Sequence, residues 1–328
     1  MAEATQALGV RRGRSQRSAM RRQRAMEDKR SGGGVSRREE IIAGYAFVAP
    51  TAVLLSLFYF VPLIETFYYS FTKWDPASVT PAHYVGLQNY TQLTGSVGFL
   101  PAVYHTLIYL AFTVPISVAI GLGLAMLLNR PFRGSGIYRT LVFTPYIAPI
   151  VGSALVFSYI LSPLGGIAND VLNAFGIHSI NFLAENPWAM IWLIIFSIWQ
   201  IAGFNMVIYL AALASVPEVY YEAAEMDGAR FWARFRHITW PLIWPSTLFL
   251  MVIGVVNSIQ VFTQVYALTG GGPIDSTWTV IYWIYQEDFV YFNGGLATAG
   301  SVVLFLVGMI LTLLQLRFLG RRRVEMMS

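Results

Sequence analysis

The most distinctive pattern of residue types lies between residues 215 and 241. Ser215 and Glu218, three residues apart with Pro217 in the first turn, predict the start of a helix through a capping box. Small and polar residues then share one face of this helix, at the spacing expected for neighbours on a helix: Tyr220, Ala223, Ala224 and Asp227. Two adjacent alanines leave little bulk, so the groove of another protein could approach the backbone closely. A helix lying on lipid headgroups fits the same residues, and physical chemistry alone leaves both interpretations open.

A break follows this first helix. Gly228 can end it, because glycine adopts the left-handed conformation common at helix ends. Beyond it, four apolar residues and three arginines alternate so that they face opposite sides of a second helix: Phe231, Trp232, Phe235 and Ile238 against Arg230, Arg234 and Arg236. The segment is therefore predicted to form two short amphipathic helices. Glu222, beside the alanines, could pair with a basic residue of a partner and fix the register of the contact.

A second group of residues could bind a solute. Two apolar segments each carry a stripe at helical spacing: Ser197, Gln200 and Phe204 in one, and Gly254, Asn257, Ser258 and Val261 in the next. Polar side chains within apolar spans usually face a bundle interior or a water-filled cavity. Amides and hydroxyls can hydrogen-bond to sugar hydroxyls while an aromatic ring covers the C–H surface. The alternative is that these polar groups join the helices to one another.

Several kinds of chemistry are disfavoured by the sequence. The chain has no cysteine, and its four histidines, His83, His105, His178 and His237, lack metal-ligand spacing, so no metal site is predicted. The loops lack a cluster of acid, base and nucleophile, so the chain is not expected to be an enzyme. It also lacks a Gly-x-x-x-x-Gly-Lys-Ser/Thr phosphate loop, so it is not expected to bind ATP.

The elements that must position these residues are membrane spans. Hydrophobic residues make up 56% of the 328 and charged residues only 12%, which favours a bilayer over water as the main solvent. Six apolar segments each exceed the roughly 20 residues needed to cross a bilayer. They cover residues 41–71, 104–129, 138–161, 188–214, 242–268 and 297–319. A span must satisfy its own backbone hydrogen bonds, so these segments predict an all-α integral membrane protein.

The positive residues predict the orientation. Of the 22 Lys and Arg residues, eleven lie in the polar segment 1–40, three each in the loops at 130–139 and 215–241, and four near the C-terminus. Because Lys and Arg collect on the cytoplasmic side, both termini and the 215–241 loop are predicted to be cytoplasmic.

The chain is predicted to have three parts. Residues 1–40 form a flexible tail, residues 41–320 the membrane domain and residues 321–328 a short cytoplasmic tail. The net charge of +5 thus reflects topology, and no nucleic-acid partner is expected.

The 215–241 segment also carries a family signature. Glu222-Ala223-Ala224 is followed after three residues by Gly228, after nine more by Ile238, and then by Trp240-Pro241. This spacing resembles the EAA motif of the permease subunits of bacterial ABC importers, with Trp240 in place of the usual Leu. In that family the segment is the coupling helix, which docks on the ATP-hydrolysing subunit. The resemblance thus implies coupling roles for Glu222, Ala223, Ala224, Asp227 and Gly228.

Other stretches resemble the sugar branch of that family, the maltose and glycerol-3-phosphate permeases, from about residue 41 to 320. They are Gly86-Leu87-Gln88-Asn89-Tyr90, Phe132-Arg133, Tyr138-Arg139, Thr144-Pro145-Tyr146 and Leu268-Thr269-Gly270-Gly271-Gly272-Pro273. The resemblance implies a type I importer permease fold in a bacterial cytoplasmic membrane. It also implies a second homologous permease, two ATP-binding subunits that hold ATP and Mg²⁺, and an extracytoplasmic solute-binding protein as partners.

The resemblance implies that the chain forms half of a pathway for a carbohydrate. The residues predicted to bind the solute along it are Ser197, Gln200, Phe204, Asn257, Ser258 and Val261. A secondary ion-coupled transporter is one alternative, although Glu65 is the main ionisable residue within the spans and lies near the end of the first. A permease for glycerol-3-phosphate or its diesters is the other. The spans carry no Lys or Arg until their cytoplasmic ends, which favours a neutral sugar over a phosphorylated substrate.

Overall fold

The computed structural model describes residues 37–96, 98–130 and 132–325, with side chains from 38 to 317 within those ranges. The helices are α1 (Arg37–Leu55), α2 (Val61–Tyr69), α3 (Gln88–Gly95), α4 (Phe99–Leu128), α5 (Ser135–Ile147), α6 (Ile150–Ile160), α7 (Ile167–Ala174), α8 (Trp188–Ala214), α9 (Glu218–Met226), α10 (Phe231–Arg234), α11 (Trp240–Ile259), α12 (Thr263–Leu268), α13 (Val280–Tyr285) and α14 (Gly294–Glu325). Three π-helical turns cover Ser56–Phe60, Phe235–Thr239 and Gln286–Val290.

The predicted all-α membrane fold is confirmed. Within the described ranges, five helices are long and apolar enough to cross a membrane, and α5 with α6 makes a sixth span if the pair counts as one. That pair corresponds to the predicted span 138–161 and is bent by 98° at the break between its helices. The bend falls at Ala148-Pro149, because Pro149 has no N–H to continue the helical ladder. Apolar length alone cannot reveal such a turn.

The span predicted at 242–268 has different limits in the structure. One helical run of 29 residues extends from Phe231 through the π-helical turn to Ile259. The chain then leaves the helix at residues 260–262, and α12 forms a separate short helix. The predicted second amphipathic helix of the 215–241 segment is therefore the beginning of a membrane span. Arg234 and Arg236 belong to the same helix as the apolar residues that follow, and Arg230 is the residue just before it.

The chain divides into two compact units, residues 1–64 and 65–328. In the first unit, α1 and the start of α2 belong to the helical run Arg38–Tyr69, and none of the residues in its most apolar window is buried. The predicted tail at 1–40 lies outside the described residues up to position 36. The predicted C-terminal tail is helical to Glu325, where the described part of the chain ends.

The core of the second unit is formed where α4 packs along α8. Glycines permit this close approach: a Cβ added at Gly121 on α4 would collide with Asn205 of α8. On α8, a Cβ at Gly203 would collide with the carbonyl oxygen of Val142 on α5. Close packing of this kind leaves no space for even one extra methyl group. The backbones of α4, α8 and α5 are thereby held against one another around the membrane-embedded polar residues.

A short hairpin caps one end of the second unit. Strands β1 (Thr72–Lys73) and β2 (His83–Tyr84) pair antiparallel, and α3 follows them. The Asn89 amide nitrogen donates hydrogen bonds to the carbonyl oxygens of Ser70 at 2.9 Å and Thr72 at 2.8 Å. The hydroxyls of Tyr90 and Ser70 lie 2.7 Å apart. The Gly86–Tyr90 stretch singled out in the sequence thus builds structure, because Asn89 satisfies carbonyls that the hairpin leaves unpaired.

Candidate functional site

The second unit contains a polar cavity of about 310 Å³ between its helices. Side chains from α4, α5, α6, α8, α11 and α12 and from the break at 260–262 line it: Tyr109, Thr113, Tyr146, Ile150, Ser197, Gln200, Ile201, Asn257, Ser258, Gln260, Val261, Phe262, Thr263 and Gln264. Two irregularities of the backbone bring these elements together. The 98° bend between α5 and α6 places Tyr146 and Ile150 on the wall, and the end of α11 places residues 260–262 there.

The structure brings together five of the six side chains that the sequence singles out for solute binding. Ser197, Gln200, Asn257, Ser258 and Val261 all line the cavity. All of these except Asn257, which is exposed, are buried in the fold. Phe204 does not line the cavity; instead its ring stacks on that of Tyr146, with centroids 4.9 Å apart and planes 24° from parallel. The ring of Tyr146 therefore lines the cavity, and Phe204 packs against that ring.

Among the lining residues that the sequence analysis did not predict, three with hydroxyl groups lie on α4 and α5, outside the two segments that it considered for solute binding. Tyr109 and Thr113 lie on α4, and Tyr146 lies near the end of α5. Tyr109 and Thr113 are four residues apart in an apolar helix, the same helical stripe of polar groups that marked the other two spans. Thr113 is 96% buried, and its side chain interacts with that of Tyr109.

The cavity wall is polar but carries no charge. The lining residues bear hydroxyls, carboxamides, aromatic rings and aliphatic groups, and none of them is Asp, Glu, Lys, Arg or His. The hydroxyl of Ser197 donates to the Leu193 carbonyl oxygen of its own helix at 2.8 Å, and its side chain also interacts with that of Tyr109. Such a wall can exchange hydrogen bonds with hydroxyl groups, but it offers no counter-charge to an anion.

The helix α9, at Glu218–Met226, contains most of the residues of the predicted docking face. Glu222, Ala223, Asp227 and Gly228 are exposed, and Ala224 is partly buried. Val219 and Tyr220 are more than half exposed as well. The face of two alanines is therefore accessible on this chain, as a docking surface for another protein requires.

Gly228 shapes the end of α9 as the sequence predicts. Its φ is +73°, in the left-handed region, and its N–H donates to the Glu225 carbonyl oxygen at 3.0 Å. The next N–H, of Ala229, donates to the Ala224 carbonyl oxygen at 2.8 Å. These two bonds satisfy carbonyls at the helix end that would otherwise be unpaired.

The predicted capping box at the start of α9 does not form. Pro217 occupies the N-cap position with no side-chain capping bond. The hydroxyl of Ser215 instead donates to the Ala212 carbonyl oxygen at 2.7 Å and so completes the end of α8. Ser215 follows α8 directly, and the last carbonyls of that helix compete for its hydroxyl. Spacing alone could not show which helix end would use it.

Trp240, which replaces the usual leucine of the EAA motif, lies among aromatic rings. Its ring centroid is 6.1 Å from that of Phe235 and 5.6 Å from that of Trp244. The larger side chain is thus accommodated at the start of α11 without a break in the helix. Among the described residues, no group of three or more His, Cys, Asp or Glu side chains is placed to hold a metal ion.

Comparison with known proteins identifies the family. Residues 96–324 match the family described as binding-protein-dependent transport system inner membrane component. The chain is 34% identical over 272 residues to the sulfoquinovosyl glycerol transport system permease protein SmoG of Agrobacterium fabrum, covering 83% of this chain and 88% of that protein. It is 35% identical over 280 residues to the sn-glycerol-3-phosphate transport system permease protein UgpA of Yersinia pestis, covering 85% and 94%.

The fold agrees with this match. A chain of the bacterial alginate ABC transporter, crystallised with its alginate pentasaccharide-bound periplasmic protein, superimposes with a TM-score of 0.78. It is 25% identical, and the match covers 88% of this chain and 96% of that one. The chain therefore belongs to the family of inner membrane permease components of binding-protein-dependent transport systems. The family and the permease fold predicted from the sequence are both confirmed.

Proposed function

We propose that this permease forms half of the pathway through which an ATP-driven importer moves a neutral carbohydrate into a bacterial cell. The observation that carries the proposal is the uncharged polar cavity among the membrane helices, together with family membership. The relatives act, by their names, in transport of sulfoquinovosyl glycerol, sn-glycerol-3-phosphate and alginate. A carbohydrate fits both the family and the wall of the cavity.

The cavity favours a neutral solute over a phosphorylated one. Hydroxyls and amides such as those of Thr263, Gln200 and Asn257 can replace the hydrogen bonds that a sugar loses on leaving water. Tyr146, supported by Phe204, supplies an aromatic face for the C–H side of a sugar ring. A phosphate dianion would be costly to desolvate among these groups, because none of them offers a positive charge. Glycerol-3-phosphate remains the second candidate, on the strength of the relation to UgpA.

Coupling to ATP hydrolysis would occur at α9. The exposed face with Ala223 and Ala224 suits close docking in a groove of a separate ATPase subunit, and Glu222 suits an ion pair that fixes the register. Asp227 and Gly228 end the helix and set its angle. ATP and Mg²⁺ would be held by that subunit. This chain would carry no cofactor and catalyse no reaction, and closure of two ATPase subunits would move α9 mechanically.

The remaining partners follow from the family and from the positive residues. A second homologous permease would supply the other half of the pathway, and an extracytoplasmic solute-binding protein would deliver the sugar. The clustering of Lys and Arg in the loops at 130–139 and 215–241 and near both ends supports a cytoplasmic position for these segments. The loops at 162–187 and 269–296, which contain neither residue, would face the binding protein.

The decisive experiment is purification of this chain in mild detergent from its native cell, followed by identification of the bound proteins. We expect an ATPase subunit and a second permease, with ATP hydrolysis stimulated by a sugar-loaded binding protein. Reconstituted vesicles would then be offered a panel of labelled neutral disaccharides and labelled sn-glycerol-3-phosphate. Uptake of the phosphate alone would overturn the neutral-sugar assignment. Recovery of the chain alone, moving solute without ATP, would show a secondary carrier instead.

A further inference from the structure

One hydrogen bond joins the proposed docking helix to the membrane span that follows it. The Tyr221 hydroxyl on α9 lies 3.0 Å from the Thr239 hydroxyl. Thr239 is 6% exposed and is the last residue of the π-helical turn Phe235–Thr239. Tyr221 is partly buried and lies about 100° around α9 from Tyr220, away from the docking face. Docking of a partner would therefore leave this contact in place.

A second contact joins the same two elements nearer the break. The Glu225 carboxylate of α9 forms an ion pair with the Arg234 guanidinium of α10. Glu225 is mostly exposed, and exposed pairs of this kind stabilise a structure little because water and salt screen them. The partly buried Tyr221–Thr239 bond is therefore the stronger tether of the two.

Beyond Thr239 the helix continues to the cavity as one run, with Pro245 inside it. The run from Phe231 to Ile259 has 29 residues, roughly 40 Å of helix. Asn257 and Ser258, at its far end, line the cavity. Midway, the Tyr209 hydroxyl of α8 donates to Thr247 at 2.9 Å, and both residues are buried. A displacement applied at Thr239 would thus reach the cavity through one element.

The π-helical turn is the place where such a displacement can be absorbed as a bend. A π-helical turn inserts a residue into the helix and weakens its regular ladder, and such turns often mark functional positions. Thr239 ends this turn, so the Tyr221 bond holds the helix at the boundary between the π-helical turn and the regular span.

We propose that Tyr221 is a positioning residue that transmits movement of α9 to the cavity through Thr239 and helix 231–259. This inference rests on the proposed function and adds to it the residue pair that makes the mechanical connection. Without the bond, α9 can move with the ATPase while the span, and with it Asn257, stays behind. Hydrolysis then continues with less transport.

The test uses the reconstituted complex, with uptake and ATP hydrolysis measured together. Removing the bond with Tyr221→Phe or Thr239→Val should lower the amount of sugar moved per ATP by about 2- to 10-fold, the range set by the net free energy of one hydrogen bond. The double variant should do no worse than either single one, because the same bond is lost. Thr239→Ser keeps the hydroxyl and should therefore keep the wild-type ratio of sugar to ATP. If these substitutions acted only by destabilising the fold, the double variant would be worse than either single one, and the effect would not depend on the hydroxyl.

A matched control is Tyr138→Phe, which removes a tyrosine hydroxyl from α5, outside the docking helix and the cavity wall. It should leave the ratio of sugar to ATP unchanged. If Tyr221→Phe also keeps the wild-type ratio, the inference is wrong although the proposed function stands. If the wild-type complex itself shows no ATP-dependent uptake, the proposed function fails first.

A structural readout complements the ratio. The sequence has no cysteine, so two nitroxide labels can be introduced in the same chain, at Glu218→Cys at the start of α9 and at Leu242→Cys on the exposed side of the span. Between the resting and the vanadate-trapped state, the distance between these labels should stay constant in the otherwise wild-type protein. In the Tyr221→Phe variant, the mean distance between the labels should change between the two states, or the distribution of distances should become broader. A distance that changes equally in both proteins contradicts the tether.

Discussion

Individual residues decide what the cavity can bind. Its wall combines amide, hydroxyl and aromatic groups without a charge, and each group can exchange hydrogen bonds or cover a C–H surface. Gln200 is the clearest case, because it is 94% buried and yet lines the cavity. A buried polar group of this kind costs free energy until it is satisfied, so a bound solute that bonds to it gains affinity.

Gln200 and Asn257 offer a direct test of the cavity. Gln200→Leu or Asn257→Leu keeps a similar volume but removes the amide, so the sugar loses hydrogen bonds and the variant should transport it with an affinity on the order of tenfold lower. The relative rates for different sugars should change as well. Uptake assays with competing sugars measure both effects. Co-purification of the ATPase subunit should be unaffected, and an unaltered solute preference would remove these residues from the pathway.

Gly203 tests the packing that holds the cavity together. In Gly203→Ala the new methyl group would collide with the Val142 carbonyl oxygen, so we expect a loss of about 1–3 kcal/mol in stability. The matched control is Gly123→Ala on α4, where an added Cβ meets no atom within 4 Å and alanine favours the helix. Thermal unfolding of the detergent-solubilised protein should show a lower midpoint for Gly203→Ala only. Equal midpoints would contradict the close packing of α8 on α5.

At the scale of elements, the segment 215–241 has a different construction from the one its residue pattern indicates. The pattern predicts two short amphipathic helices. In the structure only α9 is separate, and the second helix is the first part of a 29-residue run. Two prolines lie within this run without ending it: Pro241 comes just after the π-helical turn, where the regular hydrogen-bond ladder is already interrupted, and Pro245 lies inside α11. The docking helix is thus directly connected to a span.

Gly228 is the element-scale test of coupling. Gly228→Asp puts a side chain at a φ of +73° and a negative charge beside the docking face. The orientation of α9 relative to the ATPase subunit should therefore change. Glu222→Lys should act similarly by reversing the charge on the contact. Both variants should insert in the membrane while ATP hydrolysis no longer yields uptake.

Gly134→Asp is the matched control for this prediction. Gly134 precedes α5 with a φ of +89°, so the same substitution introduces the same backbone strain and charge in another predicted cytoplasmic loop. It should leave coupling close to the wild-type level. Normal uptake by Gly228→Asp, measured beside this control, would show that α9 is not the coupling helix.

At the scale of the whole molecule, the distribution of positive residues predicts the orientation. Fusions of alkaline phosphatase, which is active only outside the cytoplasm, should be active within the loops at 162–187 and 269–279. Fusions after residue 228 or at the C-terminus should be inactive there, whereas a fluorescent protein at the C-terminus should fluoresce. The reverse pattern would invert the predicted topology and place α9 on the wrong side for an ATPase.

The sequence by itself determined the class of the molecule. Long apolar segments in a chain with few charges require helices in a bilayer, because lipid offers no hydrogen bonds to an exposed backbone. The EAA spacing from Glu222 to Pro241 marks the family, and the polar stripes mark five residues that now lie on one cavity. These features are local or periodic, so they can be read along the chain without knowledge of distant contacts.

The tertiary structure decided what depends on distant contacts and on competition between neighbours. The bend at Pro149, the unwinding after Ile259 and the approach of α4 to α8 determine which side chains face the cavity, and they add Tyr109, Thr113 and Tyr146 to its wall. Ser215 capped the end of α8 because that helix end was nearer than the start of α9. Tyr221 and Thr239 are 18 residues apart, and helical periodicity does not relate residues on different elements.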